Sequence, residues 1–91
     1  MKIPCYYLNM LVDKVNGRIV VHPKIFQSFI TETTETHYIV QKSVTNAHLT
    51  TVKKDWVFLS EEKAKAYKKE HADELIEYAN YVKDFFSKRE T

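Results

Sequence analysis

The chain has 91 residues, with 14 basic and 12 acidic side chains and a net charge of +2, a balance that neither indicates nor excludes a nucleic-acid partner. This length suits a single domain, residues 1–91, near the smallest size at which one hydrophobic core stabilises a fold. Because Cys5 is the only cysteine, an internal disulfide and a zinc ribbon are excluded. We interpret Cys5 as a small hydrophobe on a strand rather than as a reactive thiol.

The N-terminal residues do not have the pattern of a signal peptide. Pro4, Asn9 and Asp13 interrupt the apolar residues that follow Met1 and Lys2. No apolar run in the sequence is close to the length of a membrane span, which is about 20 residues. We therefore expect a cytoplasmic protein that does not associate with membranes.

The first predicted elements are two strands joined by a tight turn. Residues 3–12 are apolar on both alternating faces, which is typical of a strand that is covered on both sides. The pair Asn16 and Gly17 is a strong hairpin signal because both residues accept positive φ, and Gly17 is the only glycine in the chain. Residues 18–21 form the predicted returning strand.

A short helix is predicted over residues 23–30. Pro23 is favourable at a first helical position, and the apolar residues that follow it fall at helical spacing, namely Ile25, Phe26, Phe29 and Ile30. A continued strand is the alternative for this segment. The threonine- and glutamate-rich residues 31–36 predict a solvated loop, with a strand edge as the alternative because threonine favours strands.

A second hairpin is predicted downstream, with strands at 37–44 and 49–53 around a turn at 45–48. A bulge or small turn at Lys54 and Asp55 then precedes a short strand at 56–59. These elements predict an α+β fold, with a small antiparallel β-sheet of four to five strands, a short helix after Pro23 and a long C-terminal helix.

The long helix is predicted to run from Ser60 to about Lys88. Ser60 followed by Glu61 and Glu62 is typical of a helix N-terminus. The stripe on the apolar face has steps of three or four residues and consists of Ala64, Tyr67, His71, Leu75, Tyr78, Val82 and Phe85. A straight helix of this length spans about 42 Å, whereas strands of this sheet cover only about 20–27 Å. The helix therefore either breaks near residues 70–73 or packs its C-terminal half on something else.

The C-terminal half of this helix predicts a protein-contact surface, since exposed aromatic patches usually mark interfaces. The predicted contact residues are Tyr78, Tyr81, Val82, Phe85 and Phe86. Their predicted charged rim is one acidic stripe of Glu70, Asp73, Glu74 and Glu77. The simplest occupant is a second copy of the chain, which pairs two such helices across a two-fold axis and makes a homodimer. The alternative is a kink that folds this half back over the sheet.

Catalytic and metal-binding patterns are weak. The four histidines show no metal-ligand spacing, although His37 and His48 could face each other across the second hairpin; the others are His22 and His71. A single glycine excludes a glycine-rich phosphate loop. The acidic residues of the long helix are expected to be solvated rather than catalytic. We expect no enzyme activity, no cofactor and no bound metal.

Lysines interleaved with aromatic residues predict the alternative function, which is nucleic-acid binding. The lysines that would contact phosphates lie before and within the first half of the long helix, and they are Lys53, Lys54, Lys65, Lys68 and Lys69. Against this alternative, the acidic stripe on the same helix would repel phosphates.

The junction from Asp55 to Tyr67 reads Asp-Trp-Val-Phe-Leu-Ser-Glu-Glu-Lys-Ala-Lys-Ala-Tyr. This segment resembles small uncharacterised phage and prophage proteins, in which a strand ending in such a cap opens a C-terminal helix. The resemblance covers the junction and implies no catalytic residue. It implies a setting, since small phage proteins often bind and redirect a host or rival protein. We therefore expect a small protein-binding module that acts as an inhibitor or modulator.

Overall fold

A computed structural model describes residues 2–89, and within them one antiparallel sheet of five strands packs with two helices. The strands are β1 (Ile3–Val15), β2 (Arg18–Thr33), β3 (His37–Gln41), β4 (Leu49–Lys53) and β5 (Val57–Phe58). The helices are α1 (Glu61–Glu70) and α2 (Ala72–Arg89), and a 3-10 turn at Lys54–Trp56 connects β4 to β5. The strand order is β4-β3-β2-β1-β5. The predicted α+β class, antiparallel sheet and long C-terminal helix are confirmed.

The first hairpin forms around the predicted turn. Asn16 and Gly17 adopt φ values of 53° and 77°, the left-handed conformations that a tight two-residue turn requires. From Val15 opposite Arg18, the register runs without interruption to Ile3 opposite Ile30. Both strands are therefore longer than predicted, and together they form a long two-stranded ribbon.

The helix predicted over residues 23–30 is wrong, and the alternative of a continued strand is confirmed. Pro23 lies within β2 opposite Met10. A proline fits a strand where no partner needs its N–H, and β3 pairs with β2 only from Ile30 to Thr33, far from Pro23. The apolar residues fall at helical spacing because β2 has apolar residues on both faces in this segment. The ring of Phe26, for example, stacks on that of Tyr7, with the ring centroids 5.2 Å apart.

The second hairpin is shorter than predicted, since β3 ends at Gln41 and residues 42–48 form a loop. The Lys42 N–H donates to the His48 carbonyl at 2.8 Å and closes that loop. Residues 31–33 belong to β2, so a strand edge rather than a loop forms there, with a register shift between Ile30 and Glu32. The bulge or turn expected at residues 54 and 55 is the 3-10 turn.

The core lies between the sheet and the helices. Its fully buried side chains come from several strands and from both helices, and include Cys5, Tyr7, Leu8, Val40, Ala64 and Leu75. Two hydroxyl groups in this region have carbonyl partners: Tyr7 donates to Lys42 at 2.6 Å and Ser28 donates to Gln41 at 2.7 Å. These bonds fix the end of β3 against the first hairpin.

The predicted helix cap is present, and of the two alternatives for the long helix, a break near residues 70–73 occurs, at His71. The Ser60 hydroxyl oxygen accepts from the Lys63 N–H at 3.1 Å and begins α1. His71 ends α1 with φ −108° and ψ 24°, and α2 starts at the next residue. Among the helices of residues 2–89, none has the combination of length and apolar composition that crossing a bilayer needs.

Candidate functional site

The position of α2 is fixed by its own first half. Leu75 and Ala79 are buried, and α2 lies against β2. The Leu75 N–H donates to the His71 carbonyl at 2.9 Å, which continues the backbone bonding through the break. The two alternatives for the C-terminal half are therefore both realised in part: the helix breaks and docks on the sheet through one side, while its other sides stay exposed.

Three large aromatic side chains are exposed on one flank of α2. The exposed fractions are 45% for Tyr78, 68% for Tyr81 and 49% for Phe85. At about 100° per residue, positions separated by three and four residues share one side of a helix. We call these three residues the aromatic strip. The other two predicted contact residues are half-buried: Val82 lies between the strip and the docked side, and Phe86 lies on the same side of α2 as Leu75 and Ala79.

The aromatic strip is held in place by neighbouring rings. Tyr78 meets Trp56 edge-on, with ring centroids 5.5 Å apart and an interplanar angle of 84°. Tyr81 follows at 6.3 Å from Tyr78, and Phe85 contacts Phe86 at 5.7 Å in a second edge-on pair. Such pairs are favourable geometries for aromatic rings. Because the rings already pack against one another, their side chains lose little conformational entropy when a partner binds the strip.

A lysine covers the base of the strip. The Lys53 ammonium lies 4.3 Å from the centroid of the Trp56 ring and 6.0 Å from that of Tyr78. Two shallow grooves of about 200 and 190 Å³ share these three residues. A cation over two rings adds attraction of about 0.5–1 kcal/mol at an exposed site. The grooves are open surface depressions, so they suit the edge of a protein contact better than an enclosed small-molecule site.

The predicted acidic rim is divided by the helix break. Glu74 and Glu77 lie on the strip side of α2, one helical turn before Tyr78 and Tyr81 respectively. The Glu74 carboxylate is 78% exposed and lies 3.4 Å from the His71 ring nitrogen Nδ1. Asp73 is exposed farther round α2, and Glu70 belongs to α1. Glu74 and Glu77 therefore lie nearest the strip, Asp73 lies one helical turn before Glu77, and the break at His71 separates Glu70 from these three.

The five lysines of the alternative site fall into separate groups. Lys53 lies over Trp56, and the Lys54 ammonium lies 5.3 Å from the Tyr38 ring. The other three are on α1, which also carries exposed Glu61 and Glu62; they are Lys65, Lys68 and Lys69. Lys65 pairs with Glu61 at 2.7 Å, and the hydrogen bond to this carboxylate raises the pKa of the lysine. Carboxylates among the helix lysines reduce the positive potential available to a phosphate.

The histidines do not converge, and the expectation that His37 and His48 face each other is wrong. His37 is opposite Lys53 in the β3–β4 register, whereas His48 precedes Leu49 at the other end of the hairpin. Each ring has a local partner: His37 contacts the Thr36 hydroxyl and His48 contacts the Asn46 side chain, both at 2.7 Å. Within residues 2–89, no group of three or more potential ligand side chains is placed to hold a metal ion.

Cys5 is part of the core, as interpreted from the sequence. Its side chain is 1% exposed, and burial raises the pKa of the thiol from 9.0 to about 11. Burial, and secondarily the proximity of Cys5, raises the pKa of Tyr7 to about 12. A thiol with a raised pKa is a poor nucleophile at neutral pH, because the thiolate is the reactive form.

Sequence reasoning missed Trp56 and Lys53 as the support of the strip. Trp56 was expected in a strand, and Lys53 was considered only as a phosphate contact. Trp56 and Tyr78 are far apart in the chain and belong to different elements, so no periodicity connects them. The only available signal was general: tryptophan is frequent at the centre of protein interfaces.

Comparisons with protein-family models, with curated proteins and with solved structures give no match to this chain. The function is therefore inferred from the geometry of the chain itself.

Proposed function

We propose that this chain is a small, non-enzymatic module that binds another protein through the aromatic strip of α2. The observation that carries this proposal is the exposure of three aromatic side chains, Tyr78, Tyr81 and Phe85, on one flank of one helix. Exposure of such an apolar patch to water is unfavourable in free energy. Large patches of this kind therefore usually mark contact sites. Tyrosine, phenylalanine and tryptophan are also the residues that interface cores favour.

The surroundings of the strip support the same function. Glu74 and Glu77 supply a charged rim beside an apolar centre, which is the usual organisation of a protein interface. Trp56 supports Tyr78 from below, so the strip meets a partner in an ordered state. A hot spot is expected at Tyr81, the most exposed of the three rings.

The setting of this module follows from the resemblance at residues 55–67. Small phage and prophage proteins often act by stoichiometric binding that redirects a host or rival protein. We place the chain in this class, as a cytoplasmic inhibitor or modulator of a bacterial protein. A stoichiometric binder needs a stable surface and no catalytic group, which agrees with the exposed strip and with the buried thiol of Cys5.

The first test compares strip variants with a matched control on the same helix. Y81A and F85A together are expected to abolish capture of a stoichiometric partner from bacterial lysate, read by mass spectrometry. Ile76 is 54% exposed on the opposite side of α2, so I76A removes similar apolar surface away from the strip. I76A should retain the partner. Circular dichroism must show that all variants are folded, since unfolding of the double variant would assign Tyr81 and Phe85 to the core.

Two results would contradict the proposal. Equal capture by the wild type and by the folded strip variant would show that the strip is not the contact surface. Loss of every partner after nuclease treatment would instead favour nucleic-acid binding through the lysines. That alternative also requires binding that weakens steeply as the salt concentration rises, because released counterions contribute to the affinity.

A further inference from the structure

We propose that the partner of the aromatic strip inserts one acidic side chain, Asp or Glu, into the groove at Lys53, next to an apolar side chain that contacts the strip. This inference rests on the proposed function, because it names the chemistry of the partner at the same surface. It is carried by the side chains around one groove of about 200 Å³, which include Asn9, His37, Thr51, Lys53, Trp56 and Tyr78. We call this depression the Lys53 groove.

Hydrogen-bond donors dominate the polar part of the Lys53 groove. Lys53 supplies an ammonium group and is opposite His37 in the register of β3 and β4. The Asn9 Oδ1 atom accepts from the Met10 N–H at 2.9 Å, which leaves the amide NH2 of Asn9 to donate. Thr51 adds a hydroxyl group, and among the described residues no acidic one lines this groove. The arrangement therefore suits a carboxylate, which is negatively charged and accepts several hydrogen bonds.

The charge of Lys53 is held in position but is not neutralised. Its ammonium lies 4.3 Å from the centroid of the Trp56 ring and 6.0 Å from that of Tyr78. Within residues 2–89, no carboxylate lies at ion-pair distance from it. Because the rings exclude water on one side, a carboxylate that reaches this ammonium is screened less than in a fully exposed ion pair. The ring contacts also reduce the side-chain entropy that Lys53 loses on binding.

Neighbouring acidic residues limit what the partner can be. Glu74 lines the second groove, which also includes Lys53, and its carboxylate lies 3.4 Å from the Nδ1 atom of His71. Glu77 and Asp84 are exposed on α2 beside the strip. A run of acidic residues in the partner would meet these carboxylates, and like charges repel. The partner therefore presents a single carboxylate at the Lys53 groove and an apolar side chain, rather than further acids, at the strip.

The Lys53 groove and the strip are continuous. Tyr78 lines the groove and begins the strip, and the Tyr81 ring follows at 6.3 Å. On one side of a partner strand or helix, neighbouring side chains are spaced by about 5–7 Å. This spacing matches the 6.0 Å between the Lys53 ammonium and the Tyr78 ring. An acidic and an apolar residue within about four positions of each other can therefore contact both places at once.

The first experiment selects binders to the full chain from a displayed library of random linear peptides. Peptides selected by the wild type are expected to be enriched in Asp or Glu within about four positions of an aromatic or aliphatic residue. K53E should replace this preference with one for Lys or Arg, because it reverses the charge in the groove. The matched control is K63E, which makes the same change in net charge at an exposed position of α1 outside the groove. K63E should retain the acidic preference.

A second measurement tests the direct contact with one selected peptide. Trp56 is the only tryptophan and lines the groove, so its fluorescence reports occupancy. K53Q, or replacement of the peptide's acidic residue by the corresponding amide, should each weaken binding about ten-fold. The two changes together should weaken it little more than either alone, because each removes the same interaction. Circular dichroism must show that the variants are folded. Fully additive effects would overturn the inference.

Three other results would overturn the inference. One is a wild-type selection without acidic enrichment, and another is a K53E selection that keeps it. The third is dimerisation of the wild type that excludes the selected peptides, since a second copy would then occupy the strip.

Further outcomes separate this inference from the proposed function. Binding of a labelled single-stranded oligonucleotide that K53E abolishes, with no peptide selected, would assign the groove to phosphate and overturn the inference. If Y81A and F85A together abolish capture from lysate while no acidic preference is found, the proposed function stands and only this inference fails. If the strip variants and K53E change neither capture nor peptide selection, both proposals fail.

Discussion

At the scale of single residues, the core contains two hydroxyl groups and one thiol, all in their neutral forms. The Tyr7 and Ser28 hydroxyls are buried, and each donates to a carbonyl on or next to β3. A buried hydroxyl without such a partner would destabilise the fold by about 1–3 kcal/mol. Cys5 is buried beside them as a neutral thiol. Burial raises the pKa values of Cys5 and Tyr7, so these two residues make the stability of the fold depend on alkaline pH.

We expect the free energy of unfolding to fall as the pH rises from 9.0 towards 11, the interval between the ordinary pKa of Cys5 and its raised value. The unfolded chain loses the thiol proton first, so it binds fewer protons than the native state across this interval and gains stability relative to it. The total loss in the free energy of unfolding that this shift in the pKa of Cys5 causes is about 2–3 kcal/mol. Urea unfolding across this pH range measures it.

The matched variant for this measurement is C5A, which removes the thiol. The free energy of unfolding of C5A should depend less on pH than that of the wild type up to pH 10.0, the ordinary pKa of Tyr7. Above that pH, ionisation of Tyr7 contributes in both proteins. An identical slope in the wild type and in C5A would contradict the assignment of the effect to Cys5.

At the scale of the elements, the long ribbon of β1 and β2 protects its own open edge. β5 pairs with β1 only at Tyr6 and Tyr7, so no strand covers the outer edge of β1 beyond Leu8 in the described residues. The Asn9 and Asp13 side chains accept from the backbone N–H groups of Met10 and Lys14, both at 2.9 Å. Because exposed strand edges recruit other strands, this occupation of edge donors limits aggregation.

Replacing both edge-protecting side chains should promote association through β1. In N9A with D13A, two backbone donors become available to another strand, and we expect faster growth of light scattering and thioflavin fluorescence on mild heating. N80A, an exposed amide removed from α2, is the matched control. A double variant that aggregates no faster than N80A would show that these side chains do not protect the edge.

At the scale of the whole molecule, docking of α2 on the sheet decides which aromatic rings a partner can reach. Leu75 and Ala79 anchor one side of the helix, and the Trp56 ring fixes Tyr78 beside them. The strip is exposed because it lies on a flank that this anchor leaves uncovered. The stability of the fold and the exposure of the proposed binding surface therefore depend on the same contacts.

Neighbouring residues on α2 test this dependence. L75A removes a side chain that is 3% exposed in the core, and we expect a loss of about 2–4 kcal/mol in the free energy of unfolding. I76A, one residue along and exposed, should change it by less than about 0.5 kcal/mol. L75A should also change the fluorescence of Trp56. Similar stabilities for the two variants would contradict the docking of α2 through Leu75.

Local signals in the sequence determined the features that a few consecutive residues control. Asn16 and Gly17 set the first turn because that turn needs positive φ at two adjacent positions, and Ser60 begins α1 because its hydroxyl reaches the Lys63 N–H. The sheet of four to five strands and the long C-terminal helix followed from alternation and periodicity, whereas the length of that helix left its break as one of two alternatives. The aromatic side chains of the candidate surface could be named for the same reason, since they fall on the helical repeat.

Tertiary structure alone decided the remaining features, because each depends on residues distant in the chain. Residues 23–30 form a strand because β1 offers a partner along their whole length, and this pairing overrides their helical spacing. The exposure of Tyr81, against the partial burial of Val82 beside it, depends on which side of α2 docks on the sheet. Trp56 became part of the site through a ring contact made across the fold. Periodicity places side chains around a helix, but only packing determines which of them remain exposed to a partner.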